Sequence, residues 1–220
     1  VSKPDIRLAA DPATTLIPAS DQQAQQFLTR RGVPMDGQYI CFALRPWADF
    51  HDFSCFSRAA EYAYRQYGLS AVFLPIESPL DLQACKKAAA AAQTPCYVLR
   101  DIPEDVRLTM AVLRQMRIVC GMRLHSIVFS AAACAPCMAV SYDIKVSGFM
   151  RYIGLADRCQ PLSSVTEDWL CRQIDELMQG QDLEAAQAIR DKLVDLEMEN
   201  RRAAAQLLGL EGRSSGGEER

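Results

Sequence analysis

The sequence has 220 residues, of which 50% are hydrophobic and 23% are charged, and its formal net charge is −3. A soluble chain of this composition can bury a substantial core, which excludes the disordered and collagen-like classes. The small negative charge gives no global basic field, so the composition does not indicate binding to nucleic acid or to anionic membranes.

Short apolar runs alternate with longer amphipathic segments, a pattern typical of βα units around a parallel sheet. Strands are predicted over residues 38–44, 70–75, 96–99, 117–120 and 137–141. Helices are predicted over residues 21–31, 52–67, 79–92, from about 104, and over 123–134, 146–153, 166–178 and 183–208. Ser78 is a candidate N-cap for the third of these helices. The alternating order predicts an α/β fold with a doubly wound, Rossmann-like parallel sheet.

The last predicted helix has a largely apolar face, on which Leu193 and Leu196 recur at helical spacing. Either a coiled coil or docking onto the domain could bury this face, and the polar Asn200 in the seam favours docking. Residues 211–220, EGRSSGGEER, are typical of a disordered tail.

The nine cysteines are odd in number, and several lie inside apolar runs, which favours buried thiols in a reducing compartment. We therefore expect a cytoplasmic protein, and a peripheral position at the inner face of the membrane is left open. The longest apolar stretch, residues 127–140, is interrupted by Pro136 and is too short for a transmembrane helix. Cys134 and Cys137 have C-x-x-C spacing but end a helix and begin a strand, so structural thiols are favoured over a redox or zinc site.

Basic side chains follow three of the predicted strands, at the edge where the carboxyl ends of parallel strands meet. Arg45 follows the first strand, Arg123 and His125 follow the fourth, and Lys145 follows the fifth. An arginine at a helix start can hold a phosphate or carboxylate, which points to an anionic ligand. The alternative is that Arg123 forms a local salt bridge and His125 is a satisfied polar group. The sequence contains no P-loop, G-x-G-x-x-G or H-E-x-x-H motif.

Residues 121–155, GMRLHSIVFSAAACAPCMAVSYDIKVSGFMRYIGL, closely resemble the signature region of the polysaccharide pyruvyl transferase family, CsaB type. Asp11-Pro12, Arg45-Pro46-Trp47 and residues 73–76, FLPI, also resemble that family, in the same order. The resemblance covers about residues 5–158. Cys134 and Cys137 depart from the pattern, because small or aliphatic residues are expected there.

The resemblance implies the C-terminal lobe of a two-domain, GT-B type transferase with its active site between the lobes. Residues 1–20 would then be a linker from a missing N-terminal domain, and residues 21–182 the Rossmann-like lobe. Residues 183–210 would form a C-terminal helix, followed by the tail at 211–220. Any catalytic groups of the missing half are absent from this chain, so we expect the chain alone to have little or no transferase activity.

The resemblance also implies a reaction: transfer of a pyruvyl group from phosphoenolpyruvate to a sugar of a cell-wall or capsular polysaccharide precursor, forming a ketal. Phosphoenolpyruvate is the donor substrate, the acceptor is a glycan or a lipid-linked glycan, and neither a cofactor nor a metal is expected. Arg123 would hold the anionic groups of the donor, and His125 would be the general acid or base.

Four further residues are candidate substrate-binding residues by the same resemblance. Lys145 and Arg45 would add to the cationic site, and Asp143 or Ser141 would orient Lys145 or contact a sugar hydroxyl. Two other functions stay open: a GT-B glycosyltransferase that uses a nucleotide sugar, and a non-catalytic module that binds a sugar or an anion. A thiol-redox protein is a third, weaker alternative.

Overall fold

The computed structural model describes residues 6–48, 50–101, 103–180 and 183–209. Its centre is a six-stranded parallel sheet with the strand order β3-β2-β1-β4-β5-β6. The strands are β1 (Gln38–Ala43), β2 (Leu69–Phe73), β3 (Cys96–Val98), β4 (Ile118–Gly121), β5 (Cys137–Ser141) and β6 (Cys159–Pro161). The order reverses between β1 and β4, which creates the crevice where ligands of such sheets bind.

Eight helices accompany the sheet in the described part of the chain. They are α1 (Asp21–Thr29), α2 (Ser54–Tyr67), α3 (Leu80–Ala91), α4 (Val106–Arg114), α5 (Leu124–Ala132), α6 (Ile144–Tyr152), α7 (Glu167–Gln179) and α8 (Leu183–Leu207). Helices α1, α4, α5, α6 and α8 contribute to the core on one face of the sheet, and α2, α3 and α7 contribute to the core on the other. The α/β doubly wound fold predicted from the alternating pattern is confirmed.

The inner strands are apolar on both faces because helices cover both sides of the sheet. After its first residue, β1 is buried throughout. On one face Phe42 of β1 stacks on Phe73 of β2, with ring centroids 5.4 Å apart, and meets Phe56 of α2 edge to face. Aromatic packing of this kind fixes α2 over β1, one of the two strands that flank the crevice.

Two details differ from the sequence predictions. The sixth strand, β6, was not predicted, because its three residues are partly exposed and end in Pro161, so they carry no apolar run. The prediction of a Ser78 cap is wrong, because Pro79 takes the N-cap position of α3 and no side chain caps that end. Instead, the Asp81 carboxylate accepts the Glu77 backbone N–H at 2.9 Å.

Helix α8 docks on the domain, as its apolar face predicted. Leu193 is fully buried, and the Asn200 side-chain amide donates to the backbone carbonyl of Ala10 at 2.8 Å. The 3-10 helix Pro12–Thr15 packs against both α8 and α5. This contact brings part of the predicted linker, residues 1–20, against the domain, while residues 1–5 and the predicted tail at 211–220 lie outside the described residues.

No helix among the described residues has both the length and the apolar character needed to cross a membrane.

Candidate functional site

Four loops converge at the carboxyl edge of the sheet, beside the point where the strand order reverses. They follow β1, β2, β4 and β5, and each carries charged or hydrogen-bonding side chains. Those side chains are, in loop order, Arg45; Glu77 and Asp81; Arg123 and His125; and Tyr142 and Lys145. Residues far apart in the sequence are therefore brought to one place.

Arg123 is held by two acidic residues. Its Nε lies 3.2 Å and 3.0 Å from the two carboxylate oxygens of Asp81, and its Nη2 donates to Oδ1 at 2.7 Å. The Asp81 side chain is fully buried, whereas that of Glu77, which pairs with Nη1, is 54% exposed. Burial lowers the pKa of Arg123, but hydrogen bonding and charge from Asp81 outweigh it and leave the pKa above its ordinary value. The local salt bridge weighed in the sequence analysis is thus present.

A glycine allows this arrangement at the end of β4. A Cβ atom on Gly121 would overlap the Ser126 hydroxyl and the Ile127 side chain, so only glycine lets the first turn of α5 come this close to the strand. The Ser126 hydroxyl donates to the backbone carbonyl of Arg123 at 2.6 Å. The close approach fixes the backbone from which Arg123 and His125 project.

His125 lies in the first turn of α5 and is 56% exposed. Its Nε2 is 3.7 Å from Oδ2 of Asp11, which is too long for a hydrogen bond but close enough for a charge interaction. The other carboxylate oxygen of Asp11 accepts the Ala13 N–H at 2.9 Å and is thereby fixed. His125 therefore presents an accessible imidazole with a carboxylate behind it, an arrangement suited to proton transfer.

Tyr142 links the two remaining cations. Its hydroxyl accepts a hydrogen bond from Nη1 of Arg45 at 2.6 Å, and the Arg45 guanidinium lies 4.5 Å from its ring centroid. The Lys145 ammonium is 6.0 Å from the same ring. Among the described residues, neither Arg45 nor Lys145 forms an ion pair with a carboxylate. Their positive charges remain available to an anionic ligand, unlike the charge of Arg123.

A cavity of about 270 Å³ brings several of these groups together. Arg123, His125, Lys145 and Tyr142 line it, together with Glu77. Arg45 does not line this cavity, but it donates a hydrogen bond to Tyr142, which does. The sequence predicted that Arg45, Arg123 and Lys145 would lie at one edge of the sheet.

Asp143 and Ser141 are placed differently from the other predicted site residues, because they line a larger neighbouring cavity. Asp143 caps α6 by accepting the backbone N–H of Lys145 at 2.9 Å, so it contacts that residue's main chain and not its ammonium. The Ser141 hydroxyl donates to the Asp143 carbonyl at 2.8 Å.

Sequence reasoning did not assign roles to Asp11, Asp81 and Tyr142. Asp11 belongs to a motif that carried the family resemblance, and Tyr142 stands in the same loop as Lys145, so both could have been considered. Asp81 had no such indication, because an acidic residue in the first turn of a helix is common on helix-dipole grounds alone.

The C-x-x-C pair does not have the properties of a redox site. Burial raises the pKa of Cys137 to about 12, and burial also raises that of Cys134, so neither thiol is activated. Among the described residues, no three His, Cys, Asp or Glu side chains are arranged to hold a metal ion.

The polysaccharide pyruvyl transferase family model matches residues 1–144, which is more than half of the chain. The chain belongs to the polysaccharide pyruvyl transferase family. All site residues described above except Lys145 lie within the matched region. No curated protein sequence is significantly similar to this family member.

Solved structures of glycosyltransferases share the fold. A family 9 glycosyl transferase from Veillonella parvula matches with a TM-score of 0.56 and 14% identity, over 74% of this chain and 53% of that one. The glycotransferase of kitacinnamycin matches with a TM-score of 0.55 and 16% identity, over 80% and 43%. A UDP-forming trehalose-phosphate synthase from Burkholderia xenovorans gives 0.50 and 18%, over 88% and 48%. This pyruvyl transferase family chain thus spans about half the length of the GT-B structures that it matches.

Proposed function

We propose that this lobe binds phosphoenolpyruvate and contributes to the transfer of its pyruvyl group to a sugar of a cell-wall or capsular polysaccharide precursor. The observation that carries the proposal is the 270 Å³ cavity, which is lined by an exposed histidine, His125, and by Lys145, a lysine without an acidic partner among the described residues. Phosphoenolpyruvate carries a phosphate and a carboxylate on one small carbon frame, so its site needs several cations around a small space.

The present partners of each cation determine how it can bind the donor substrate. Lys145 and Arg45 are available to the two anionic groups of the donor. Arg123 keeps its bond to the buried Asp81, while the exposed Glu77 can exchange for a donor oxygen at Nη1. Arg123 is thereby a preorganised hydrogen-bond donor, because its orientation is set by Asp81 and does not depend on the substrate.

His125 is the proposed proton-transfer group. A proton is added to the methylene carbon of phosphoenolpyruvate, and the adjacent carbon becomes oxocarbenium-like. One sugar hydroxyl attacks this carbon and passes its proton to the imidazole, which has just given one up. The phosphate then leaves with its bonding electron pair, and a second hydroxyl attacks the same carbon, loses its proton to the released phosphate and closes the ketal. The Asp11 carboxylate, whose Oδ2 lies 3.7 Å from Nε2 of His125, would orient the imidazole for this role.

We further propose that the complete active site lies between this lobe and a second Rossmann-like lobe, as in other two-lobed transferases. The chain alone is then expected to bind phosphoenolpyruvate and to form little or no ketal. Robust ketal formation by the purified chain would contradict this two-lobe arrangement.

Donor identity is tested by nuclear magnetic resonance, using the two histidines of the sequence as probes. Phosphoenolpyruvate should shift the ring-proton signals of His125 in a saturable way and leave those of His51, which lines neither cavity, unchanged. UDP-glucose is titrated in parallel. A saturable response to UDP-glucose, with none to phosphoenolpyruvate, would replace the proposal with a nucleotide-sugar glycosyltransferase.

A lysine variant tests how the donor is held. Lys145→Met should weaken phosphoenolpyruvate binding by roughly ten- to hundredfold, since a hydrogen bond to a charged group contributes about 1.5–3 kcal/mol. Lys87→Met removes an equally charged, exposed side chain from α3 and serves as the matched control. Equal affinities of the two variants for phosphoenolpyruvate would show that Lys145 does not bind it.

A further inference from the structure

A second, larger cavity of about 850 Å³ lies at the same edge of the sheet, between the loop after β1 and helix α6. Tyr142 lines both cavities and stands between them. The larger cavity is also lined by Trp47, Asp143, Ser147 and Arg151. Its size suits a ligand of more than one ring, because ligand cavities commonly measure about 300–1,000 Å³.

The wall of this cavity combines an aromatic face with hydrogen-bonding groups. Trp47 is 38% exposed, and its ring lies against that of Tyr142 with centroids 4.3 Å apart. Ile144, at the start of α6, is 85% exposed and extends the apolar surface. Large apolar side chains exposed in a concave site mark a binding surface.

The polar groups are placed beside that aromatic face. Asp143 uses one carboxylate oxygen to cap α6, which leaves the other oxygen without a hydrogen bond among the described residues. Ser147 and Arg151, one turn apart on α6, also line the cavity, and the Ser147 hydroxyl donates to the Ile144 carbonyl at 3.3 Å. An aromatic plate with carboxylate, hydroxyl and guanidinium groups at its edge matches a pyranose, which has an apolar C–H face and a rim of hydroxyls.

We propose that this larger cavity binds a sugar ring of the acceptor glycan against Trp47, with Tyr142 forming the partition between acceptor and donor. The inference rests on the proposed function, because it takes the smaller cavity as the donor site. Because Tyr142 lines both cavities, a sugar in the larger cavity would be a neighbour of a donor in the smaller one, and group transfer requires the two substrates to be neighbours.

The test observes Trp47 directly in the ¹⁵N-labelled chain. The sequence has two tryptophans. The second, Trp169 of α7, is buried in the core, so its indole N–H signal is an internal control. The probes are the methyl glycosides of glucose, galactose, mannose and their 2-acetamido derivatives, with glycerol as a hydroxylated compound that lacks a ring. At least one glycoside should shift the Trp47 indole signal in a saturable way, and glycerol should not.

Three variants complete the test. Ser147→Tyr fills the cavity and should abolish the saturable shift. Trp47→Ala should weaken binding of the same glycoside, measured by saturation transfer to the sugar, by roughly tenfold or more, as for an aromatic residue at a binding hot spot. Tyr64→Ala removes an aromatic side chain of equal exposure on α2 and should leave that affinity unchanged.

The outcomes separate this inference from the proposed function. The glycoside titration contains no phosphoenolpyruvate, and the donor titration is observed at His125. Absence of a Trp47 shift with every glycoside, or an equal shift with glycerol, overturns the acceptor site even when phosphoenolpyruvate binds. A saturable glycoside shift that Ser147→Tyr abolishes supports the acceptor site even when phosphoenolpyruvate fails to bind.

Discussion

Arg123 and Asp81 form a two-pronged ion pair that joins the loop after β4 to the start of α3. The Asp81 side chain has no exposed surface, so its charge is compensated by Arg123 and by the Glu77 backbone N–H alone among the described residues. The pair therefore has a structural task as well as a place in the candidate site. It holds the guanidinium in one orientation before any ligand arrives.

Removal of Asp81 should destabilise the fold, whereas neutralisation of Glu77 should not. Asp81→Ala leaves a nearly buried guanidinium without its main partner, and breaking a buried pair in this way costs about 3–5 kcal/mol. Glu77→Gln alters a half-exposed contact and should change the free energy of unfolding by less than about 1 kcal/mol. Urea unfolding of both variants measures the difference. Similar losses of unfolding free energy in the two would show that the Asp81 contact stabilises the fold no more than the Glu77 contact does.

The sequence was sufficient to predict five of the six strands, the eight helices and the edge where the cations gather. Buried parallel strands and amphipathic helices have strong periodic patterns, and the edge follows from the direction of the strands. The partners of Arg123 could not be predicted, because Asp81 is 42 residues away and nothing local distinguishes it from an ordinary helix-start acid. The position of Tyr142 between the two cavities could not be predicted from the sequence either, since it depends on how two loops from non-adjacent segments pack together.

Replacement of Gly121 should disturb the backbone that carries Arg123 and His125. Gly121→Ala places a methyl group against the Ser126 hydroxyl and the Ile127 side chain, and overpacking of this kind costs about 1–3 kcal/mol.

Gly148 supplies the matched control for that glycine substitution. It lies inside α6, and no atom outside its own helical backbone comes within 4 Å of the point that an alanine methyl group would occupy. Gly148→Ala should therefore raise stability by up to about 1 kcal/mol through helix propensity. Thermal unfolding gives both values, and destabilisation by Gly148→Ala as large as that by Gly121→Ala would refute the steric explanation.

The C-x-x-C thiols should be slow to react at neutral and mildly alkaline pH. The pKa of Cys137 is raised to about 12 and that of Cys134 is raised as well, both chiefly by burial. A raised pKa means that the thiolate fraction stays small as the pH increases through about 8.5, where an unperturbed cysteine is half ionised. Alkylation followed by peptide mass spectrometry, with the urea-unfolded chain as control, should show slower modification of both residues in the folded protein. Fast modification of folded Cys134 at neutral pH would restore the redox interpretation.

Loss of the Tyr142 hydroxyl should weaken donor binding while preserving the partition between the cavities. Tyr142→Phe keeps the ring beside Trp47 and under the Arg45 guanidinium, but it removes the acceptor that holds Arg45 Nη1 at 2.6 Å. Arg45 then samples more orientations, and the dissociation constant for phosphoenolpyruvate should rise about three- to tenfold, as expected for one hydrogen bond. Binding of a methyl glycoside at Trp47 should change by less than a factor of about two, because the ring contact worth roughly 0.5–1.5 kcal/mol is retained.

Tyr64→Phe is the control for loss of an exposed hydroxyl. Unchanged phosphoenolpyruvate affinity in Tyr142→Phe would show that Arg45 does not depend on this bond, and a large loss of glycoside affinity would show that the hydroxyl itself contacts the sugar.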